Sequence, residues 1–474
     1  MKKRYLIISD THLGYKAKDL RESKYIQETQ KMDKHFKNFL DFYTNNDDYT
    51  YELIINGDFI DFIAINYRIS VEESDNYKLT LDEIKYGLSS KEKHIVWKLR
   101  KIAKIHFSFF QELSNFISNG NSITIIKGNH DVEFYWPKVQ EEFKTILIDL
   151  ANPTNRDNYY SKIKFKDWFY YKNGLFYIEH GNQYEEFTSF NNFLVPLNPI
   201  NIKKLETPYT HISIRYWINL VKGVDTENLA DWGYKELFLW IKTQGIIGLF
   251  MQFIYYFRAL FISLSYTKII YFVNPFIKLK VKDKIRKIAL DNDLDYYILS
   301  DINKLKHKPI GNSIFNVLRA FYFEWFLIVN GFFIFLIFSF ISKDLLLISK
   351  VFIIYVLTSI ISYFIFSFRR ETAPDKKLSR AAVDIADILN AKYIIFGHTH
   401  HPLVEKINDK KVYLNTGSWL SKNIKKYERR FHFHLSHIVI DEETKQCSLR
   451  NWSIQKEKPV TLQNKNILDR IDNY

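Results

Sequence analysis

Only one of the 474 residues is cysteine, Cys447, so no disulfide can form within the chain, and the composition fits a reducing compartment. A long apolar run is missing near the N-terminus as well. Met1-Lys2-Lys3-Arg4 imitates the basic start of a secretory signal. Tyr5-Leu6-Ile7-Ile8 is too short to continue it, because Ser9-Asp10-Thr11-His12 follows directly and a signal needs about 7–15 apolar residues. A first buried strand with no export signal is expected there. Acidic residues are in deficit: 53 Asp plus Glu against 67 Lys plus Arg leave a net charge of +14. That balance favours polyanionic partners (phosphorylated substrates, nucleic acid or an anionic membrane face) without choosing among them. A chain of this length exceeds one ordinary core, so two domains, or one domain with a large insertion, are expected.

What is present is a series of short apolar runs, each closed by polar residues of a particular kind. Tyr5–Ile8 leads into Asp10 and His12, Leu53–Ile55 into Asn56-Gly57-Asp58, and Ile123–Ile126 into Gly128-Asn129-His130-Asp131. Leu175–Ile178 leads into Glu179-His180-Gly181, Tyr393–Phe396 into Gly397-His398-Thr399-His400, and Val412–Leu414 into Asn415-Thr416-Gly417-Ser418. Runs of this length closed by glycine-containing turns predict buried strands. Mixed-charge segments between them, such as Tyr25–Tyr43 and Lys91–Ile117, suit amphipathic helices. The alternation predicts an α/β layer architecture with its chemistry at strand ends.

Residues 200–370, rich in aromatics, break the pattern. Trp325–Ser342 and Val351–Phe368 are uncharged runs separated only by Lys343–Lys350. Each reaches the lower working length of a membrane span, about 18 residues, so the pair predicts a helical hairpin crossing a membrane; two helices of a soluble core are the alternative. Lys304, Lys306, Lys308 and Arg319 precede it, and Arg369, Arg370, Lys376, Lys377 and Arg380 follow. Positive flanks place both ends in the cytoplasm. Gly245–Phe276, interrupted by Arg258 and Lys268, is expected to be interfacial or re-entrant. The basic stretch Lys278–Lys287 suits either anionic headgroups or a solvated helix face.

The strand ends offer two Asp, one Asn and four His, an oxygen and nitrogen donor set without sulfur that suits Mn²⁺, Fe²⁺ or Zn²⁺ rather than Ca²⁺. Seven donors are too many for one ion and about right for two that share one. Two ions would make water nucleophilic at neutral pH and offset a phosphate's charge. The ordered series Asp-x-His, Gly-Asp, Gly-Asn-His-Asp, His-Gly and Gly-His-x-His resembles that of the calcineurin-like metallophosphoesterases, over about residues 5–185 and 390–420. The resemblance implies a four-layer α/β/β/α sandwich of two mixed sheets. It implies that Asp10, His12 and His400 hold one metal, that Asn129, His180 and His398 hold the other, and that Asp58 bridges them. It also implies that His130 acts beside the scissile bond, with Asp131 orienting its imidazole. Two divalent ions, manganese first with iron or zinc as alternatives, are the implied cofactors. Asp61 is a candidate supporting residue, His401 a loop residue, and His432, His434 and His437 ordinary strand residues rather than ligands.

Local departures narrow the branch. The Asp-Arg-Gly and Gly-Asn-His-Glu of protein serine/threonine phosphatases are absent, and Gly57-Asp58-x-x-Asp61 with Gly397-His-Thr-His-x-Pro402 is more similar to bacterial UDP-2,3-diacylglucosamine pyrophosphate hydrolases. The expected organisation is a phosphoesterase domain in two parts, 1–199 and 372–460. They are separated by a helical, membrane-associated insertion at 200–371, with its hairpin at about 320–342 and 345–368, and followed by a polar tail at 461–474. The expected function is hydrolysis of a phosphoester or pyrophosphate bond on a lipid-linked or nucleotide-linked substrate at the cytoplasmic membrane surface. The alternatives are a nuclease or cyclic-nucleotide phosphodiesterase, and a membrane scaffold or sensor that retains the fold.

Overall fold

The computed structural model describes residues 2–14, 22–45, 48–63, 79–221, 234–270, 275–367, 373–419 and 435–462. Arg369, Arg370, His432, His434 and all but the first residues of the expected tail lie outside the described residues. All six anticipated apolar runs are strands: β1 (Lys2–Ile8), β2 (Tyr49–Asn56), β3 (Ser122–Ile126), β6 (Phe176–Glu179), β7 (Tyr393–Phe396) and β9 (Val412–Asn415). Shorter or more polar strands join them: β4 (Ile163–Lys166), β5 (Phe169–Lys172), β8 (Leu403–Lys406), β10 (Ser436–Asp441), β11 (Cys447–Ser453) and β12 (Lys458–Thr461). They form a seven-stranded sheet in the order β12-β11-β10-β1-β2-β3-β4 and a five-stranded sheet in the order β5-β6-β7-β9-β8. β1 to β4 run parallel, as do β6, β7 and β9, while the outer strands pair antiparallel.

The central strands are apolar on both faces because both faces are covered. Tyr5, Ile7, Ile54 and Ile126 of one sheet meet Phe176, Ile178, Ile395 and Leu414 of the other. The alternate residues Leu6, Ile8, Leu53, Ile55, Ile123 and Ile125 face a helical layer made by Glu22–Thr44, Glu92–Ile105, Phe107–Ser118 and Pro137–Ala151. On the far side, Tyr177, Ile394, Phe396 and Tyr413 pack on Leu378, Ala382 and Ile385 of the helix Pro374–Ile388. The layers therefore run helices, sheet, sheet, helices. Lys91–Ile117 is two helices, broken at His106, whose Nε2 lies 3.2 Å from the Gly14 carbonyl oxygen.

Between β6 and β7 lies a helical segment in which, among the described residues, three helices are long and apolar enough to cross a membrane: Ile247–Thr267, Phe323–Ile341 and Leu345–Phe366. The last two pack antiparallel, with Tyr355 stacked on Phe335 at 6.1 Å, and their turn falls at Ser342–Asp344, so Lys350 is inside the second helix rather than in the turn. Their outward faces are bare, Phe340 being 96% and Ile341 76% exposed, which excludes the soluble-core alternative within this chain. Ile247–Thr267 belongs to the helix Tyr234–Ile270, kinked at Gly245, where φ is 64°.

His437 is fully buried on β10, its Nε2 2.7 Å from the Tyr43 hydroxyl, a packing role and not a ligand's. Burial lowers its pKa to about 3 and that of buried His106 to about 4. Both are neutral when folded, so between these values and the unfolded value near 6.5 the unfolded chain binds more protons. Stability from these groups is present above about pH 6.5 and lost as pH falls towards 4, by roughly 3 kcal/mol for each imidazole. Thermal unfolding in detergent should show the midpoint dropping over that window, with a shallower drop in His106→Asn; an unchanged slope in the variant counts against the assignment.

Candidate metal centre

All seven expected ligands sit on turns at the C-terminal ends of parallel strands: Asp10 and His12 after β1, Asp58 after β2, Asn129 after β3, His180 after β6, and His398 and His400 after β7. Backbone hydrogen bonds tie these turns together. The Asp10 N–H donates to Gly57 O (3.1 Å), the His12 N–H to Asp58 O (2.9 Å) and the Gly397 N–H to His180 O (3.0 Å). Such close turns leave no room for side chains at Gly57, Gly128 and Gly397. A Cβ on Gly57 (φ 79°) would lie 2.7 Å from His180 Cβ, and one on Gly128 would lie 2.8 Å from His180 Cδ2.

Five of the seven residues adopt the left-handed conformation that L side chains disfavour: Asp10 (φ 54°), His12 (43°), Asp58 (49°), His398 (72°) and His400 (61°). Each such residue costs about 1–2 kcal/mol. The conformation turns the alternate side chains of Asp10-x-His12 and His398-x-His400 toward one region. His400 Nε2 lies 3.1 Å from Asp10 Oδ1 and 3.2 Å from His12 Nε2. His12 Nε2 is 3.8 Å from Asp58 Oδ2, and His180 Nε2 is 3.1 Å from that same oxygen. Among the described residues His12, Asp61 and His130 form one group with donor atoms within 4.8 Å of one another, and two more groups meet the same limit, Asp10 with His12 and His400, and Asp58 with His180 and His398. Asp58 Oδ2 lies between them, where a bridging ligand would sit.

The protein holds the other polar atom of several of these side chains. Asp10 Oδ2 accepts from the His398 N–H (3.1 Å), and Asp58 Oδ1 from the His130 N–H (2.8 Å). His180 Nδ1 faces the Asn56 carbonyl at 2.9 Å. His398 Nε2 faces Glu185 Oε2 at 3.2 Å and the Thr188 hydroxyl at 3.1 Å. Carbonyl and carboxylate partners of this kind fix the tautomer and aim of a ligating imidazole. Asn129 Oδ1 is buried with no hydrogen-bond partner among the described residues, a position that a cation would satisfy. The oxygen and nitrogen donors fit borderline divalent ions of the Mn²⁺, Fe²⁺ or Zn²⁺ kind.

Electrostatics agree. Burial alone would raise the pKa of Asp58, but the surrounding imidazoles of His180, His130 and His12 overcome it and hold the carboxyl well below its usual range. Asp10 is likewise pushed down, by His400 and His180 against burial. Burial would lower His180; Asp58 and Asp10 raise it instead to about 9. The buried carboxylates and imidazoles thus favour each other's charged forms.

One expected role changes hands. Asp131 does not orient His130: its carboxylate accepts from the Gly128 N–H (2.5 Å) and the Phe59 N–H (2.8 Å), bracing the two turns that carry Asn129 and Asp58. Asp61 is the partner, its Oδ1 3.0 Å from His130 Nδ1 and its Oδ2 3.9 Å from His12 Nδ1. Sequence reasoning also missed Glu185 and Thr188 beside His398, and His211 of the helix Tyr209–Tyr216. His211 Nε2 donates to the Asn129 carbonyl (2.9 Å); burial, then His130, lowers its pKa to about 3, so it is neutral. None of these carries a spacing signal. His401 is 72% exposed at its side chain and paired with Asp375 at 3.0 Å, a loop residue as expected.

No curated protein and no solved structure matches the chain. Residues 3–234 match the family model of the calcineurin-like phosphoesterases, a family of metal-dependent phosphoester hydrolases, and that stretch holds the first five of the seven expected ligand positions.

Proposed function

We propose that the chain hydrolyses a phosphoester or pyrophosphate bond of a lipid-linked or nucleotide-linked substrate at the cytoplasmic surface of a membrane, with two manganese ions held by Asp10, His12, Asp58, Asn129, His180, His398 and His400. The observation that carries the reading is a single juxtaposition. A convergent donor set is completed by strands β6 and β7, and the segment between those strands raises a bare apolar hairpin. Its helices, at 19 and 22 residues, are about 28 and 33 Å long, enough for a hydrocarbon core of about 30 Å. Positive-inside flanks support the cytoplasmic side.

Bound divalent ions would supply Lewis acidity and an acidic water at this site. The chain's own residues do the rest. His130 would give a proton to the departing oxygen, with the Asp61 carboxylate, whose Oδ1 lies 3.0 Å from His130 Nδ1, beside it to favour the charged imidazole. Asp131 keeps the Asp58 and Asn129 turns in register. The hairpin would keep the site near a lipid-linked substrate.

Purified protein in proteoliposomes with Mn²⁺ should release phosphate from lipid-linked phosphodiesters or pyrophosphates and lose the activity to EDTA. Asp58→Asn should lower kcat/KM by at least ~100-fold and abolish the thermal shift that Mn²⁺ produces in the parent. Efficient cleavage of soluble phosphodiesters with every lipid-linked substrate ignored would sink the lipid reading. An Asp58→Asn chain that still performs its cellular role would favour the scaffold.

His130→Ala should cost ~10²–10⁴-fold in kcat, and Asp61→Asn about 10–100-fold, both with little change in KM. Both losses should shrink on a nitrophenyl ester, whose leaving group needs no proton. Equal losses on good and poor leaving groups would refute the proton-donor role.

A further inference from the structure

The third apolar helix has a different relation to the rest of the molecule from the hairpin. One face of Ile247–Thr267 is docked: Ala259 and Leu260 pack on Ile310, Val317 and Phe321, with Tyr256 alongside. Its polar groups are tied to the catalytic layers. The Arg258 guanidinium lies over the Tyr86 ring at 4.4 Å and 3.6 Å from Asp82. The Tyr266 hydroxyl accepts from Asn198 Nδ2 (2.7 Å) and from the Thr207 N–H (3.2 Å). These ties are eight residues apart, about 12 Å along the axis. Sinking the helix across a bilayer would carry Asp82 and the 198–207 loop into hydrocarbon, where irregular backbone has no partners. The flanking segments agree. His211 touches the Asn129 turn before the helix, and Ile277, Ile285 and Ala289 after it are buried against Trp168 and Phe169, with Lys284 2.6 Å from Asp167.

The opposite face is bare and apolar: Ile247 is 81%, Phe250 64% and Phe261 73% exposed. It continues into the foot of the hairpin, where Phe253 and Phe257 meet Phe326 at 6.2 and 4.9 Å. The next helix, Pro275–Asp291, exposes Phe276 and Leu279 among Lys278, Lys280, Lys282 and Lys287. Exposed apolar side chains set among lysines are the composition of a surface that lies in an anionic lipid interface.

We infer that Ile247–Thr267 and Pro275–Asp291 form an in-plane docking surface for an anionic lipid leaflet, on the same side of the membrane as the metal centre, and that only the hairpin crosses. This rests on the membrane reading proposed above. It explains how a three-helix apolar insertion can leave from β6 and return to β7, two hydrogen-bonded neighbours, because a third crossing would put those strands on opposite sides.

The test uses the full chain with Cys447→Ala and single cysteines in proteoliposomes with and without anionic phosphatidylglycerol. Lys242→Cys and Lys278→Cys should react with an impermeant maleimide from the same side. Nitroxides at Phe250→Cys and Phe261→Cys should report equal, shallow depths of about 5–10 Å. Lys280→Glu with Lys282→Glu should weaken the phosphatidylglycerol dependence of the shallow signal by roughly fivefold per lysine. Opposite-side labelling of 242 and 278, or depth rising steeply from 250 to 261, would show a third crossing and overturn the inference. Water exposure of both nitroxides would do so too, pointing to a protein on that face. Lys343→Cys at the hairpin turn separates the two ideas: labelling on the same side as 242 and 278 defeats the crossing hairpin, not the in-plane surface.

Discussion

The strand ends are arranged around one electrostatic constraint, the crowding of carboxylates and imidazoles from five of them into one region. Asp10 and Asp58 are essentially inaccessible, and His180 is nearly so. Their mutual attraction offsets part of the desolvation. Backbone strain adds to that cost: five ligand residues have positive φ, and glycines pack against His180 where no side chain would fit. Strain gathered at one place and braced by Asp131, Asn56 and the linked turns is the signature of a preorganised site rather than of a tolerant loop cluster.

A second constraint follows from sheet order. β6 and β7 are parallel neighbours although the whole helical insertion lies between them. The last of the early ligands, His180, and the late pair, His398 and His400, therefore meet only if the insertion returns to its starting side. The Gly397 N–H bond to the His180 carbonyl fixes that return within one residue of the ligands. Hydropathy along the chain has no access to this condition, which is why length and composition alone admit three crossings where the connectivity admits an even number.

What was legible in the sequence follows the same division. Central strands announced themselves because burial on both faces leaves an unbroken apolar run, as in Tyr5–Ile8 and Tyr393–Phe396. Edge strands such as β8, with Glu405 and Lys406 exposed, and β12 did not, since one open face removes the pattern. The ligand residues were readable because the turn chemistry of Gly57, Gly128 and Gly397 sits beside them in the chain. Their supports were not. Asp61 and Asp131 are equally close in sequence to their turns, and only the direction of their oxygens tells which one meets His130. Glu185 and His211 reach the site from loops and helices whose positions are set by packing far away.

The loop that carries Glu185 joins the two constraints. Glu185 holds His398, while the next residue, Glu186, accepts from Lys377 Nζ (2.6 Å) in the helix that follows the hairpin. The Glu186 carbonyl accepts from the Ile310 N–H (3.0 Å), and the Gln183 carbonyl from the His307 N–H (2.8 Å), in the segment that precedes it. Both roots of the hairpin are thus fastened to the same few residues that fix one imidazole of the metal centre. Charges that flank an apolar hairpin ordinarily face the headgroups; here Lys377 turns inward, and Lys306 donates to the Asn191 carbonyl (3.1 Å). These contacts strap the insertion to the α/β layers on both sides of its apolar hairpin. The shortest route from the hairpin's roots to His398 therefore runs through two residues adjacent in the chain, Glu186 and Glu185, rather than through the length of the sheet.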